Sequence, residues 1–245
     1  MDDFVTVIMA AGKGTRMKSD LPKVLHTING RPLIHYVIDL ANQAHSSKII
    51  LIIGHKKELV EETCRDMGVE FVVQNPQLGT GHAVQMTEPL LKDYDGNVLV
   101  LSGDVPLLTV QTVNMLVESH RKDGAVATLL TSELDDPSGY GRIIRDDRDF
   151  VRKIVEDKDA SPAEAGVHEI NVGIYIFQSA PLFAALKQVK NDNAQGEYYL
   201  PDVISIFISE GKKVKAVKTP NFDETRGINT VEQLKTAETI LKNRS

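Results

Sequence analysis

The stretch Val5-Thr6-Val7-Ile8-Met9-Ala10-Ala11-Gly12-Lys13-Gly14-Thr15-Arg16-Met17, with Leu21-Pro22-Lys23 behind it, decides the fold. Its first part is β-branched and apolar and reads as a buried strand over 5–10. Gly12 and Gly14 at the strand exit let backbone N–H groups approach a phosphate. Lys13, Arg16, Lys18 and Lys23 put four cations within eleven residues, against the single acid Asp20. The chain carries a formal net charge of −6, so this local positive excess points to an anionic ligand such as a nucleotide triphosphate. The alternative is a plain β-to-α turn with solvated basic residues.

The loop is neither of the two common phosphate motifs. A dinucleotide fingerprint needs a third glycine where this chain has Met17, and a P-loop string is absent. Charge is supplied instead by Arg16, whose guanidinium can fork onto phosphate oxygens, and by Lys23, a point charge.

From this loop outward, strands over 5–10, 48–53, 70–73 and 97–101 alternate with helices over 32–44, 56–66, 81–91 and 109–119. Pro89 ends or kinks the third helix, and Thr109 caps the fourth. This order predicts an α/β, doubly wound, mostly parallel sheet whose ligands bind outside the carboxyl ends of its strands. The second half reads as a lobe that completes the pocket. It has strands over 125–131, 142–145, 151–156, 170–177 and 214–218, helices over 179–188 and 200–209, and a closing helix over 230–242.

Composition narrows the class. With 245 residues and 42% hydrophobic content, one compact unit can bury a real core. A pI near 5.7 argues against a general nucleic-acid or membrane-surface binder. The single cysteine, Cys64, precludes an intramolecular disulfide or zinc cluster and reads as a buried or half-buried thiol without chemistry. The acidic start Met1-Asp2-Asp3 predicts no signal peptide, and no apolar run approaches the ~20 residues of a membrane span. A soluble cytoplasmic protein is expected.

Three further segments carry chemistry. Gln74-Asn75-Pro76-Gln77-Leu78-Gly79-Thr80-Gly81-His82-Ala83 is a second glycine-rich turn. Its amides near Thr80 and the Gln74 carboxamide suit a base edge, the alternative being a capped turn. His82 reads as a helix-start residue. Asp104, in Ser102-Gly103-Asp104-Val105-Pro106, stands at a strand's carboxyl end. Magnesium takes one or two carboxylates plus substrate phosphates, so a lone strand-tip aspartate suits it; the alternative is a cap on the turn into Pro106. The amide of Gly141, the carboxylate of Glu156 and the carboxamide of Asn171 are what a polyol such as a sugar needs; the alternative for each, taken singly, is a turn or surface residue. Asp135 and Asp136 read as turn formers.

Together these pieces resemble the sugar-nucleotide pyrophosphorylases. More narrowly, the chain is similar throughout to the uridylyltransferase domain of bifunctional N-acetylglucosamine-1-phosphate uridylyltransferase/glucosamine-1-phosphate acetyltransferases. The strings that carry the resemblance are 10–17, Leu21-Pro22-Lys23-Val24-Leu25-His26, 77–83, Gly139-Tyr140-Gly141-Arg142 and Asn193-Ala194-Gln195-Gly196-Glu197-Tyr198-Tyr199. The resemblance implies a Rossmann-like nucleotidyltransferase fold and transfer of uridylyl from UTP to N-acetylglucosamine 1-phosphate. It assigns Ala10, Ala11, Gly12, Gln74, Gly79 and Thr80 to the uridine, with Lys13 and Gly14 completing the phosphate loop. It assigns Arg16 and Lys23 to the triphosphate as catalytic groups, and Gly141, Glu156 and Asn171 to the sugar. Asp104 and Asn229 would hold Mg2+. Ser102, Val172 and Thr230 depart from the family pattern.

The expected domains are a nucleotidyltransferase unit over 1–229 and a helix over 230–245 leading toward a β-helix whose hexapeptide repeats the sequence lacks. A shortened chain or a single-function relative, monomeric without that trimerising half, is therefore expected. The competing readings are a uridylyl- or thymidylyltransferase for another sugar 1-phosphate and a non-catalytic nucleotide-sugar sensor. An NAD-dependent oxidoreductase fails on Met17 and on the missing ribose-binding acid at Ile53-Gly54-His55.

Overall fold

The computed structural model describes residues 4–17 and 19–244; the expected phosphate-loop cation Lys18 and the Met1-Asp2-Asp3 start lie outside them. Eleven described strands are β1 (Phe4–Met9), β2 (Thr27–Ile28), β3 (Arg31–Pro32), β4 (Lys48–Ile53), β5 (Glu70–Val73), β6 (Asn97–Ser102), β7 (Ala127–Glu133), β8 (Arg142–Arg145), β9 (Val151–Val155), β10 (Glu169–Gln178) and β11 (Val214–Lys218). The helices are α1 (Leu33–Gln43), α2 (Lys57–Cys64), α3 (Thr80–Gln85), α4 (Glu88–Leu91), α5 (Val110–Asp123), α6 (Pro162–Ala165), α7 (Ser179–Leu186), α8 (Asp202–Ser209) and α9 (Val231–Arg244).

The central sheet runs β11-β7-β10-β6-β1-β4-β5, with the β8–β9 hairpin attached through β10. β4, β5 and β6 all run with β1, and β11 runs with β7, while β10 is antiparallel to both of its neighbours. The expected doubly wound, mostly parallel α/β sheet is therefore present, with one reversed strand. Chain order goes from β1 outward to β4 and β5, then returns to β6 on the other side of β1. That reversal is the switch point at which such sheets open a ligand crevice.

Strand alternation fills a layer on each side. Val5, Val7, Ile50, Ile52, Val98 and Val100 face α7 and α8, packing with Leu182, Phe183, Val203 and Phe207. Ile8, Ile49, Leu51, Leu99 and Leu101 face α1, α2 and α5, packing with Ile34, Val37, Ile38, Val60 and Leu116. A satellite cluster joins Leu234, Ala237 and Ile240 of α9 to Ile28, Leu33, Leu107 and Ile228. Cys64 lies buried in the second layer, and burial pushes its thiol up to about 11, which leaves it inert at neutral pH. No described helix is long and apolar enough to cross a membrane.

Several boundaries differ from expectation. The helix predicted over 81–91 is two, α3 and α4, and Pro89 opens the second rather than ending the first; a proline is tolerated in a first turn, where its missing N–H has no partner to lose. The helix predicted over 109–119 extends to Asp123. Its polar last turn stays helical because His120 is buried against Thr128 and Asn97, and Gly124 closes it at φ 58°. Thr109 caps that helix as expected, accepting from the Thr112 N–H. The strand predicted over 125–131 lies at 127–133, so its register is two residues later. The short β2–β3 hairpin went unread, being only two residues per strand.

Candidate active site

The opening loop leaves β1 between β4 and β6. Ala10 N–H donates to the Ile52 carbonyl at 2.8 Å and His55 N–H to the Ala11 carbonyl at 3.2 Å. Met17, at the third-glycine position, is 3% exposed and serves as core, which removes the close helix–strand approach that a dinucleotide loop requires. Gly14 adopts φ 63°, and a Cβ there would lie 2.6 Å from the Lys23 Cβ. This glycine therefore lets the loop fold onto Lys23, whereas Gly12 faces open space.

A cleft of about 540 Å³ runs along this loop. Ala10 through Gly14, Lys23, Gln74, Gly79, Thr80 and Asp104 line it. The opposite wall is built backbone on backbone. Gly79 sits at φ 104°, where a Cβ would come within 2.6 Å of the Tyr198 carbonyl. Gly81 N–H donates to that carbonyl at 2.7 Å and Tyr198 N–H to the Leu78 carbonyl at 2.8 Å. The Thr80 hydroxyl accepts from Leu200 N–H at 3.0 Å. Gln74 is 4% exposed, and its Nε2 donates to the Gly79 carbonyl at 2.8 Å, so half of its carboxamide serves the wall itself. His82 starts α3 as expected, its ring nitrogen 3.2 Å from Gln74 Nε2 and its pKa lowered by burial.

The charged groups converge at the far end of this cleft. Asp104 follows β6 after Gly103, whose N–H donates to the Met9 carbonyl at 3.0 Å. Lys23 Nζ reaches Asp104 Oδ2 at 2.5 Å and Asn229 Oδ1 at 3.0 Å. Arg16 Nη2 donates to the same Asn229 oxygen at 2.7 Å. Ile228 N–H donates to the Asp104 carbonyl at 2.9 Å, which fixes the 227–229 segment beside the strand end. Four residues from three segments of the chain thus meet around two oxygen atoms. Among the described residues no three His, Cys, Asp or Glu side chains group as metal ligands. One carboxylate and one carboxamide oxygen are hard donors of the kind that binds a divalent cation together with substrate phosphates.

A second cleft, about 330 Å³, shares Ser102 and Asp104 with the first and is also lined by Arg16, Asn171 and Asn229. Asn171 lies at the irregularity between residues 171 and 175 of β10. Its N–H donates to the Gly141 carbonyl at 2.9 Å, its Nδ2 to the Tyr175 hydroxyl at 2.8 Å, and its Oδ1 accepts from Gly173 N–H at 3.2 Å. A Cβ on Gly141 would lie 3.4 Å from Glu156 Oε1, so the three sugar-side residues expected from sequence cluster together. Asp136 is a turn former, accepting from the Ser138 N–H and hydroxyl. Behind it, buried Arg142 bonds Asp157 at 2.7 Å. The Gly139 N–H, then Arg142, hold the Asp157 carboxyl below its usual range.

The model of the nucleotidyl transferase family matches residues 5–223. The chain belongs to the nucleotidyl transferase family. It is 48% identical over 244 residues to proteins named bifunctional protein GlmU from Bacillus cereus strain AH187 and Bacillus thuringiensis strain Al Hakam. Each alignment covers 100% of this chain and 53% of the relative, so this nucleotidyl transferase spans about half the length of the curated relatives it matches. Its fold is also that of a UDP-glucose pyrophosphorylase solved with UDP-glucose, at TM-score 0.76 and 19% identity with both chains fully covered. A putative glucose-1-phosphate thymidylyltransferase from Bacillus anthracis, solved with a sucrose, gives TM-score 0.75 at 20% identity, covering 98% of this chain and 96% of that one.

Two polar residues of the first cleft of this nucleotidyl transferase, Gln77 and Glu197, carry no signal of their own in the sequence. Gln77 donates from Nε2 to the Ala11 carbonyl at 2.5 Å, tying the two glycine loops together. Its signal was its place inside the second loop string. Glu197 lines the first cleft; it too sat inside a motif string with no feature marking it out.

Proposed function

We propose that the chain transfers uridylyl from UTP to N-acetylglucosamine 1-phosphate, giving UDP-N-acetylglucosamine and pyrophosphate. The observation that carries this reading is the meeting of Arg16, Lys23, Asp104 and Asn229 between the two clefts. The 48% identity to GlmU proteins supports the choice of uridine and N-acetylglucosamine.

The sugar phosphate is already an anion, so no general base is required. Its phosphate oxygen forms a bond to the α-phosphorus of UTP as the bond from that phosphorus to the pyrophosphate oxygen breaks. The work left to the protein is alignment and charge neutralisation. The backbone of 10–14 and the Gln74–Thr80 turn hold the nucleoside end. Arg16 and Lys23 neutralise charge on the triphosphate and on the departing pyrophosphate. Asn171, Glu156 and the Gly141 amide orient the sugar. Asp104 and Asn229 are the residues that would hold a divalent cation, with Mg2+ the ion of choice; when bound it supplies Lewis-acid neutralisation of phosphate charge.

The test is pyrophosphate release with UTP or dTTP against a panel of sugar 1-phosphates. Preferred turnover of N-acetylglucosamine 1-phosphate with UTP is expected. Preference for another pair overturns the substrate choice, and no release with any pair favours a nucleotide-sugar sensor.

A further inference from the structure

We infer that Gln233, in the first turn of α9, is a positioning residue that sets the aim of Asn229; this rests on the reading of Asn229 as a cation-binding group. Asn229 stands on a short segment held at both ends. On one side Ile228 N–H donates to the Asp104 carbonyl at 2.9 Å. On the other, Gln233 Oε1 accepts from Asn229 N–H at 2.7 Å and from Thr230 N–H at 3.1 Å. The Thr230 hydroxyl accepts in return from Gln233 N–H at 3.2 Å, so Thr230 and Gln233 form a capping box.

An ordinary capping box ties one N–H to the glutamine side chain. This one extends a residue upstream and takes the N–H of the functional asparagine as well. With its backbone fixed on both flanks, Asn229 has its side chain as its remaining freedom, and its Nδ2 is held by the Gly227 carbonyl at 3.2 Å. Its Oδ1 is therefore aimed at the place where Arg16 and Lys23 also point. Gln233 lines the second cleft beside Arg16, Asp104 and Asn229. Helix α9 is itself anchored on the body through Leu234, Ala237 and Ile240, and through Arg244 Nη1, which donates to the Leu107 carbonyl at 2.5 Å. The helix first turn thus belongs to the site, and its docking transmits to Asn229 through one carboxamide oxygen.

The experiment titrates Mn2+ into the protein with an α,β-imido UTP analogue, reading free Mn2+ by electron paramagnetic resonance. Gln233→Met keeps the side-chain bulk and removes the acceptor. It is expected to weaken Mn2+ binding about 10-fold, the usual cost of losing a residue behind a ligand, and to lower kcat at limiting metal with little change in the KM for UTP. Gln233→Glu keeps an acceptor for both N–H groups and retains Mn2+ affinity within about 3-fold of wild type. Thr230→Ala removes only the return bond and lowers thermal stability without moving Mn2+ affinity. Wild-type Mn2+ binding by Gln233→Met, or equal failure of Gln233→Glu and Gln233→Met, overturns the inference. Asn229→Ala separates the two levels: if it binds Mn2+ like wild type, the reading of Asn229 itself fails, whatever Gln233 does.

Discussion

The two walls of the site are built by different physics. The proposed nucleotide wall comes from parallel strands, and it closes on backbone: Gly81 on Tyr198, Tyr198 on Leu78 and Ala10 on Ile52, with neutral side chains of Gln74, Gln77 and Thr80 bonding backbone groups. Its glycines are there because a Cβ at Gly14 or Gly79 collides with Lys23 or with the 197–198 segment. The proposed sugar wall comes from the β8–β9 hairpin and the reversed β10. It is held by charged side chains, notably Arg142 on Asp157 and Arg145 on Glu169. Burial works against the Glu169 charge, but bonds from Arg145 and Thr131 outweigh it and hold that carboxyl below its usual range. A wall made of backbone reads any ligand of the right shape, and its tolerance for substitution is low. A wall made of side chains can change what it recognises by changing a few of them.

This contrast can be broken at its shared centre. Asp104→Ala removes the one carboxylate that both clefts use, and kcat is expected to fall by about 100-fold or more, measured as pyrophosphate release. Retained turnover would leave the two walls with no common chemistry. Gly79→Ala tests the nucleotide wall alone. The strained φ and the clash with Tyr198 are expected to cost about 2 kcal/mol of stability and to raise the KM for UTP, leaving the sugar KM near wild type. Asn171→Ala is the counterpart. Loss of one hydroxyl contact is expected to raise the sugar-phosphate KM about 10-fold, with the KM for UTP unchanged. If both parameters move together in either variant, the walls are not independent.

An effect outside the site, seen only as the pH falls, lies at the seam between the halves. His120 joins Thr128 on β7 to Asn97 on β6, and burial, then Arg121, lowers its pKa to about 4. Unfolding returns the imidazole to its ordinary value near 6.5, so between those limits the unfolded chain binds more protons. Stability is complete above about pH 6.5 and declines as the pH falls toward 4, by on the order of 3 kcal/mol at the full shift. Melting temperatures of His120→Gln are expected to fall less steeply over that range than those of wild type.

The same contrast explains what was legible. Backbone loops leave glycines and fixed spacings, so Gly12, Gly14, Gly79 and Asp104 stood out, and the βαβ order gave the sheet. Reversal of β10 left no mark, because a strand buried on both faces reads alike in either direction. The break at Met86-Thr87 was hidden by a proline that suits either a helix end or a helix start. Gln233 was invisible for another reason. A glutamine four residues beyond Asn229 is an ordinary surface residue until α9 is docked.

Because β10 runs against its neighbours, its beginning, not its end, faces the ligand edge of the sheet. Both the beginning, 169–171, and the stretch from Tyr175 pair with β7, and the irregularity between Asn171 and Tyr175 places extra β10 residues between those two paired stretches. Extra residues of this kind bend the strand, and the stretch between Asn171 and Tyr175 can vary while the pairs on either side keep their β7 partners. On the proposed reading of the site, editing this short tip retunes which sugar is accepted, while the strand behind it goes on holding the protein together.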